Sequence, residues 1–413
     1  MKKWIITSLI ICLCIVLICL LISTLLSGGK TVFSTQNYKI NEKTLDYCID
    51  LEKIDYVEKY KSEYGDYFLK AAGLDPEKSL KKQESCYGGT WYEYFKNLAT
   101  EKMKNKLLYC EAAKKTGLKA DKSLLEEYEK KFKVLLNGMK KSDLKILSEL
   151  EALSETYLSN LTASFAPSDK EKNEYYEKNR RLFDCVDYNR IIINSGTDAS
   201  TDLTGKIVNS IKEAGFEETL KLYHITDSND LFEVEYKTGY MYEDETQFGS
   251  WAFSADRKVG DVVCFGGRGI DSVYFIKRTA YPADYKIRKI QKITVSADNI
   301  KGSVNDLYEI ARKLSGDNNT EENLLAYADK MGFEVENIDA LKEELSLPLK
   351  NWLYDSEHKI GDYAVLEDGF SVSFVRYCGE GGSYFDNRLT NAIVLSKTDD
   401  YLKQLKKEIK IEE

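Results

Sequence analysis

One stretch of this chain returns about a hundred residues after it first occurs, and that repetition constrains the fold more than any other feature. The first copy reads Trp251-Ala252-Phe253, then Lys258-Val259-Gly260-Asp261, a turn holding Gly266, Gly267 and Gly269, and Ser272-Val273-Tyr274-Phe275-Ile276-Lys277. The second reads Trp352-Leu353-Tyr354, Lys359-Ile360-Gly361-Asp362, a turn through Asp368-Gly369, and Ser371-Val372-Ser373-Phe374-Val375-Arg376. Aligned on the Ser-Val pairs, the copies differ by about two residues in the turn. Upstream, Asn189-Arg190-Ile191-Ile192-Ile193-Asn194 answers Gln291-Lys292-Ile293-Thr294-Val295-Ser296 at nearly the same offset. One repetition of this kind implies two copies of a module rather than a solenoid.

Each copy reads as a strand, helical material, a short helix carrying the Trp, and a hairpin. The β-branched runs 191–193 and 293–295 suit a largely buried strand. Gly260 and Gly361 stand where the Trp helix must end, because glycine tolerates the left-handed conformation past a helix terminus. Residues 262–265 and 272–278 then pair across a glycine turn. Two α+β modules, each with a mostly antiparallel sheet flanked by helices, are the expectation.

Residues 31–167 read differently. After a short polar linker, Leu45, Ile49, Leu51, Ile54, Val57 and Tyr60 fall near one helical face. Thr90 and Glu93 form a capping box for a helix running to Gly117, with Trp91, Phe95, Leu98, Met103, Leu107 and Ala113 as its core face. Further helices span residues 123–136 and the leucine stripe Leu144 to Leu161, ending before Pro167. At the other end of the chain, Thr398-Asp399-Asp400 is expected to cap a helix with the apolar stripe Leu402, Leu405 and Ile409. So short a helix is marginal alone. It must pack on something.

Lys2-Lys3 precede an apolar run, residues 4–26, long enough to span a bilayer as a helix. The lysines favour a cytoplasmic N-terminus with the rest outside, a single-pass arrangement in the cell membrane. Cleavage after Ser27-Gly28-Gly29 is the alternative.

Charge narrows the function. With 59 Lys and Arg against 68 Asp and Glu, the net charge of −9 gives no electrostatic footprint for nucleic acid. The only two histidines, His224 and His358, argue against a His-rich metal site or a Ser-His-Asp triad. No C-x-x-C pair supports a zinc ribbon or a thioredoxin-like centre, so no metal and no cofactor is expected. Cys48, Cys86, Cys110, Cys185, Cys264 and Cys378 are an even set in an extracytoplasmic region. They are open to disulfides, Cys185 with Cys264 among the candidates, or to remaining reduced.

The order of aromatic helix, Lys-x-Gly-Asp corner and terminal hairpin strand, preceded by Tyr175-Tyr176-Glu177-Lys178-Asn179, resembles the parvulin family of peptidyl-prolyl isomerases. The second copy resembles a more divergent parvulin. The helical stretch around Trp91-Tyr92-Glu93-Tyr94-Phe95 resembles the N-terminal domain of SurA- or PrsA-type membrane-anchored foldases. The resemblance implies an anchor at residues 1–30 and a helical chaperone-like domain at 31–167. Parvulin-like modules follow at 168–280 and 281–397, and a C-terminal helix at 398–413 packs back on the helical domain. Its clients would be unfolded or proline-containing exported polypeptides. The rival readings are a non-catalytic holdase or envelope scaffold on the same fold, and an unrelated extracellular adhesin in which the repeats fold otherwise. Oligomeric state is left open by the sequence.

Prolyl isomerisation breaks no covalent bond; the enzyme must only bind the twisted amide better than the planar one. The resemblance implies an apolar pocket for the proline ring and polar groups around the rotating carbonyl. It assigns Phe248 and Met241 to the pocket. Where the family carries two strand histidines it sets Arg190 and Tyr274, with Asp227 beneath as the acidic group. In the second copy Lys292 and Ser373 take the histidine positions and Leu349 that of Phe248.

Overall fold

The computed structural model describes residues 30–413 apart from 137, 195–198, 227–230, 243–245, 268, 297–308, 310–311, 313–320 and 369–370. The apolar run at residues 4–26 lies outside the described residues. Among those described, no helix is long and apolar enough to cross a membrane. The fold is mixed α+β. The chain divides into two compact units, Met1–Ala166 with Val394–Glu413, and Pro167–Ile393.

The first unit opens on a hairpin, β1 (Thr31–Ser34) and β2 (Lys39–Asn41), followed by α1 (Glu42–Ala71), α2 (Trp91–Thr116), α3 (Lys122–Leu135) and α4 (Lys141–Ser164). Asn41 caps α1 by accepting from the Thr44 amide at 2.8 Å. The capping box of α2 is formed: Thr90 Oγ1 accepts from the Glu93 amide, and the Glu93 carboxylate accepts from the Thr90 amide. Gly117 ends that helix at φ +73, a conformation that would strain any side chain bearing a Cβ. Trp91, Phe95, Met103 and Leu107 are buried in one core with Phe33, Ile40, Ile49, Phe132 and Leu147. The hairpin belongs to this core through Phe33 and Ile40. It is also tied to α2 by the buried Glu111, which accepts from the Asn37 backbone N–H at 2.6 Å and from its side-chain amide at 2.7 Å. Burial pushes the Glu111 carboxyl up, but the hydrogen bonds from Thr35 and Asn37 outweigh it and hold the group below its ordinary range.

The end of the chain completes this unit. Leu405 is buried against Leu108, Tyr109 and Ala112, with Leu402, Ile409 and Tyr401 packed around them. The Tyr157 and Tyr401 hydroxyls meet at 2.6 Å, and Glu412 exchanges backbone hydrogen bonds with Ser34 at 2.8 Å. The cap expected at Thr398 is not used as one. The helix is already fourteen residues old there, running Tyr384–Glu408, and the Thr398 hydroxyl donates to the Val394 carbonyl within it.

The second unit begins with α5 (Asp169–Asn179), which carries its own capping box from Ser168 and Glu171. Then come β3 (Asp184–Asn194), α6 (Ala199–Ala214), α7 (Phe216–Leu222), β4 (Phe232–Met241), α8 (Gln247–Ala252), β5 (Val262–Gly267) and β6 (Ile270–Pro282). The second series is β7 (Lys286–Ser296), α9 (Glu321–Met331), β8 (Glu336–Ala340), α10 (Leu347–Asp355), β9 (Tyr363–Asp368), β10 (Ser371–Ser383) and α11 (Tyr384–Glu408). Its strands form two antiparallel four-stranded sheets of one design, ordered β4-β3-β6-β5 and β8-β7-β10-β9. The first turns of α11 close the unit: Leu389 and Ile393 bury Phe183 together with Tyr175 and Tyr176 of α5.

The corners match atom for atom. In the first module Gly260 N–H donates to Ile276 O and Ile276 N–H to Asp261 O; in the second Gly361 N–H donates to Tyr377 O and Tyr377 N–H to Asp362 O. Asp261 Oδ2 accepts from the Lys258 amide at 3.0 Å, and Asp362 Oδ2 from the Lys359 amide at 2.8 Å. These bonds correct the sequence alignment. Val262 pairs with Phe275 and Gly267 with Ile270, while Tyr363 pairs with Arg376 and Asp368 with Ser371, so the two turns have equal length. Nothing is deleted. The counterpart of Tyr274 is therefore Val375, not Ser373; Ser373 lies level with Ser272 and faces Thr294, with 3.4 Å between hydroxyl oxygens.

Candidate functional site

Strand alternation gives each sheet two faces. In the first module one face, with Ile191, Ile193, Phe232 and Val273, is covered by Ile207 and Ile211 of α6 and Phe216 of α7. The second module repeats this arrangement, with Ile293, Val295, Val372 and Phe374 packed with Ala328 of α9. The opposite face carries the Trp helix and the candidate site.

On that face of the first module, Tyr188, Tyr274 and Phe248 form a tight aromatic cluster. Phe248 stacks on Tyr274 with centroids 4.1 Å apart, and Tyr188 meets Phe248 edge-on at 4.7 Å. Tyr240 closes on Phe248 at 5.3 Å, and Trp251 lies 6.1 Å from it. Tyr188 and Phe248 are buried, whereas Tyr274, Trp251 and Phe265 stay half-buried and present their outer edges.

A polar line borders the cluster. Arg190 is the cross-strand neighbour of both Tyr274 and Glu235, which puts all three on one face. Its Nη2 pairs with Glu235 Oε2 at 2.7 Å, and its Nη1 donates to the Tyr274 hydroxyl at 3.3 Å. The Tyr188 hydroxyl donates to the same Glu235 oxygen at 3.5 Å. Burial and then the Glu235 carboxylate push the Tyr188 phenol far above its ordinary range, so it stays protonated and a donor. Burial disfavours the charged Arg190, but the Tyr274 hydroxyl and the Glu235 carboxylate more than restore it, and its net shift is upward.

Of the five residues assigned from sequence, the structure brings together Arg190, Tyr274 and Phe248. Asp227 lies outside the described residues. Met241 sits elsewhere, with its sulfur 3.3 Å from Arg388 Nη1 and 3.9 Å from the Tyr384 hydroxyl. The reason is a bulge at Thr238-Gly239. Between the pairs Val186↔Tyr240 and Tyr188↔Lys237 the strand β4 holds one extra residue, so the alternation flips and Tyr240 takes the cluster face. Gly239 makes the bulge possible at φ +68, and Asp187 Oδ1 accepts its amide at 2.8 Å. Glu235 was missed by sequence reasoning. The signal that would find it is that Glu235 and Glu336 stand equally far before Trp251 and Trp352; they lie opposite Arg190 and Lys292 respectively.

In the second module the same positions hold Ile290, Leu349 and Val375, all buried, with Lys292 beside them. At these three positions the aromatic rings and their hydroxyls give way to aliphatic side chains. The six cysteines outside residues 1–29 are free thiols; Cys185 lies level with Tyr281 and Cys264 level with Val273, so those two are not neighbours.

The helical unit holds a cavity of about 190 Å³ with Ala99, Met103 and Phe132 at its floor. Two ion pairs, Lys102 with Glu52 at 2.6 Å and Lys106 with Glu151 at 2.5 Å, stand among its lining residues. That is below the size of pockets that take whole small molecules.

No family model matches the chain, and no curated protein matches it.

Proposed function

We propose that the protein is an extracytoplasmic, membrane-anchored foldase of the parvulin type, with the first module as its working peptidyl-prolyl site. Residues 4–26 anchor it, the helical unit holds segments of unfolded exported polypeptide, and the first module receives prolines within them. The observation that carries the reading is the aromatic face of Tyr188, Phe248 and Tyr274 edged by Arg190 and Glu235, on a sheet ordered β4-β3-β6-β5.

The chemistry asks little of such a face. Rotation about the prolyl bond passes through a twisted amide in which resonance is lost, at a barrier of about 18–20 kcal/mol. The nitrogen then regains a lone pair, and a donor placed beside it lowers the barrier because it binds the twisted state better than the planar one. The Tyr274 hydroxyl and the Arg190 guanidinium are donors at the edge of the apolar surface on which the ring would rest.

A holdase that binds without isomerising is the second reading. It is favoured by the Arg190–Glu235 pair and by the stacking of Phe248 on Tyr274, which engage the donors and the ring face among themselves. Two-dimensional exchange spectroscopy on a prolyl tetrapeptide, with the full chain present, separates the readings. Accelerated cis/trans exchange that Phe248→Ala abolishes and Leu349→Ala leaves intact is the result expected of the foldase. Binding of an unfolded polypeptide with no acceleration makes it a holdase. Neither exchange nor binding would sink both.

A further inference from the structure

A sheet has edges as well as faces, and an edge strand offers its backbone groups to any extended chain that reaches it. Of the edge strands in the two modules, β4 carries Glu233, Glu235, Lys237 and a bulge, β8 carries Glu336 and Asp339, and β9 ends on Glu367-Asp368. Charges and bulges of this kind keep other chains away. The remaining edge, β5, has neither. Its sequence, Val262-Val263-Cys264-Phe265-Gly266-Gly267, holds no charge and no proline, its register with β6 is unbroken, and its first four residues are half-buried.

Hydrogen bonding at the corner fixes which groups of β5 point outward. Ile276 turns both its amide and its carbonyl to the corner, donating to Asp261 O and accepting from the Gly260 amide. Alternation along β6 then directs the backbone groups of Tyr274 and Ser272 to Val263 and Phe265, their partners in register. The amides and carbonyls of Val262, Cys264 and Gly266 are left facing out of the sheet, and among the described residues nothing bonds them. Side chains divide the same way. Val263 and Phe265 lie on the face of Tyr274, with the Phe265 ring 6.0 Å from the Tyr274 ring, while Val262 and Cys264 pack in the core with Ile207 and Ile211 of α6.

We propose that β5 is a docking edge on which an extended segment of unfolded polypeptide adds as an antiparallel strand. This docking rests on the proposed function only in so far as the protein meets unfolded polypeptide; it requires no isomerisation. Main-chain bonds would hold a segment of almost any sequence. Proline is sorted by the same bonds. Residues of the added strand opposite Val262, Cys264 and Gly266 must donate to the edge, so proline is excluded there; opposite Val263 and Phe265 the N–H points away, and proline forfeits no bond. Cross-strand partners share a face, so an admitted proline lies on the aromatic face, beside Val263 or Phe265, and not on the helix-covered one. A second copy of the chain suits the edge less well. A stable interface needs roughly 20–30 residues a side, and this strand offers 6. A flexible segment can instead continue from the edge onto the half-buried rings of Phe265 and Trp251.

Hydrogen exchange in the full chain, resolved to single amides, tests the edge with a short blocked peptide that alternates serine and valine and carries proline at one central valine position. At about ten times the peptide's Kd, the amides of Val262, Cys264 and Gly266 should gain about tenfold protection. Those of Val263 and Phe265, already bonded to β6, should not change. N-methylation of the peptide's serines should abolish binding and protection, whereas N-methylation of its valines should leave both. Nuclear Overhauser contacts should join the proline to Val263 or Phe265; contacts to Cys264 instead would mean a parallel strand and overturn the sorting. Binding without protection at the three outward amides overturns the docking edge and leaves the foldase reading standing. Protection that follows the concentration of the chain with no peptide added assigns the edge to a second copy and overturns it too. Protection without faster prolyl exchange keeps the edge and makes the protein a holdase. Absence of binding overturns the edge, and prolyl exchange in the same sample then decides the foldase reading by itself.

Discussion

The two modules share a backbone plan and differ on one face of it. On the helix-covered face both keep an aliphatic and aromatic core: Ile191, Ile193 and Val273 in one, Ile293, Val295 and Phe374 in the other. On the opposite face the first module sets Tyr188, Phe248 and Tyr274 where the second sets Ile290, Leu349 and Val375, while Arg190 opposite Glu235 is answered by Lys292 opposite Glu336. The lesson is a division of labour within a sheet. One face and the Lys-x-Gly-Asp corner hold the fold, and they tolerate replacement of the aromatic cluster on the other face by aliphatic side chains.

The largest expected effect tests whether the second module depends on the helix that leaves it. Ending the chain after Lys397 removes Leu405 and the partly buried Leu402 and Ile409, each worth about 1.5–3 kcal/mol when fully buried. Hydrogen exchange should rise in α2 around Leu108 and Ala112 and stay unchanged in both sheets. A rise confined to residues 291–376 would break the comparison, because the second module would then need support that the first does not.

Next come the two shared cores. Phe374→Ala should cost about 3–5 kcal/mol and Ile191→Ala about 2–5 kcal/mol, as expected for fully buried side chains. Each should raise exchange in its own module first, and chemical denaturation followed by exchange would read both. In the same core as Ile191, Val273→Ala should cost about 1.5–3 kcal/mol, because Val273 is fully buried.

The smallest effect concerns the site itself. Glu235→Gln parts a half-exposed pair, so global stability should fall by no more than about 1 kcal/mol. Prolyl exchange or peptide affinity should nevertheless change, since Arg190 would be released toward Tyr274. A variant that moves neither would place Arg190 and Glu235 with the surface rather than the site.

The doubled architecture was legible because tryptophans, Gly-Asp corners and β-branched runs repeat at nearly one offset. The α2 cap was legible because Thr90 and Glu93 have the only spacing that satisfies both free amides. The hairpin register was not. A shift of two residues leaves every side chain on its original face, so Ser-Val-x-Phe fits the apolar pattern in either register. Only the backbone bonds at Gly361 and Tyr377 decide it. Met241 was misplaced for the complementary reason: the bulge beside Gly239 shifts alternation by one, and composition carries no trace of it beyond a single glycine. The β1–β2 hairpin, seven residues of strand in all, was too short to stand out from a polar linker.

The return of the chain's end to β1 and α2 has a consequence for biosynthesis. The helices α1 to α4 lack Leu405, Tyr401 and the Glu412 backbone until translation has passed through Ile393. At about 5–20 residues per second, that leaves them waiting on the order of tens of seconds. During that interval the surface around Leu108, Tyr109 and Ala112 is uncovered, while everything between Pro167 and Ile393 is free to fold as it appears. A segment read before Pro167 is thus completed only by residues read after Ile393.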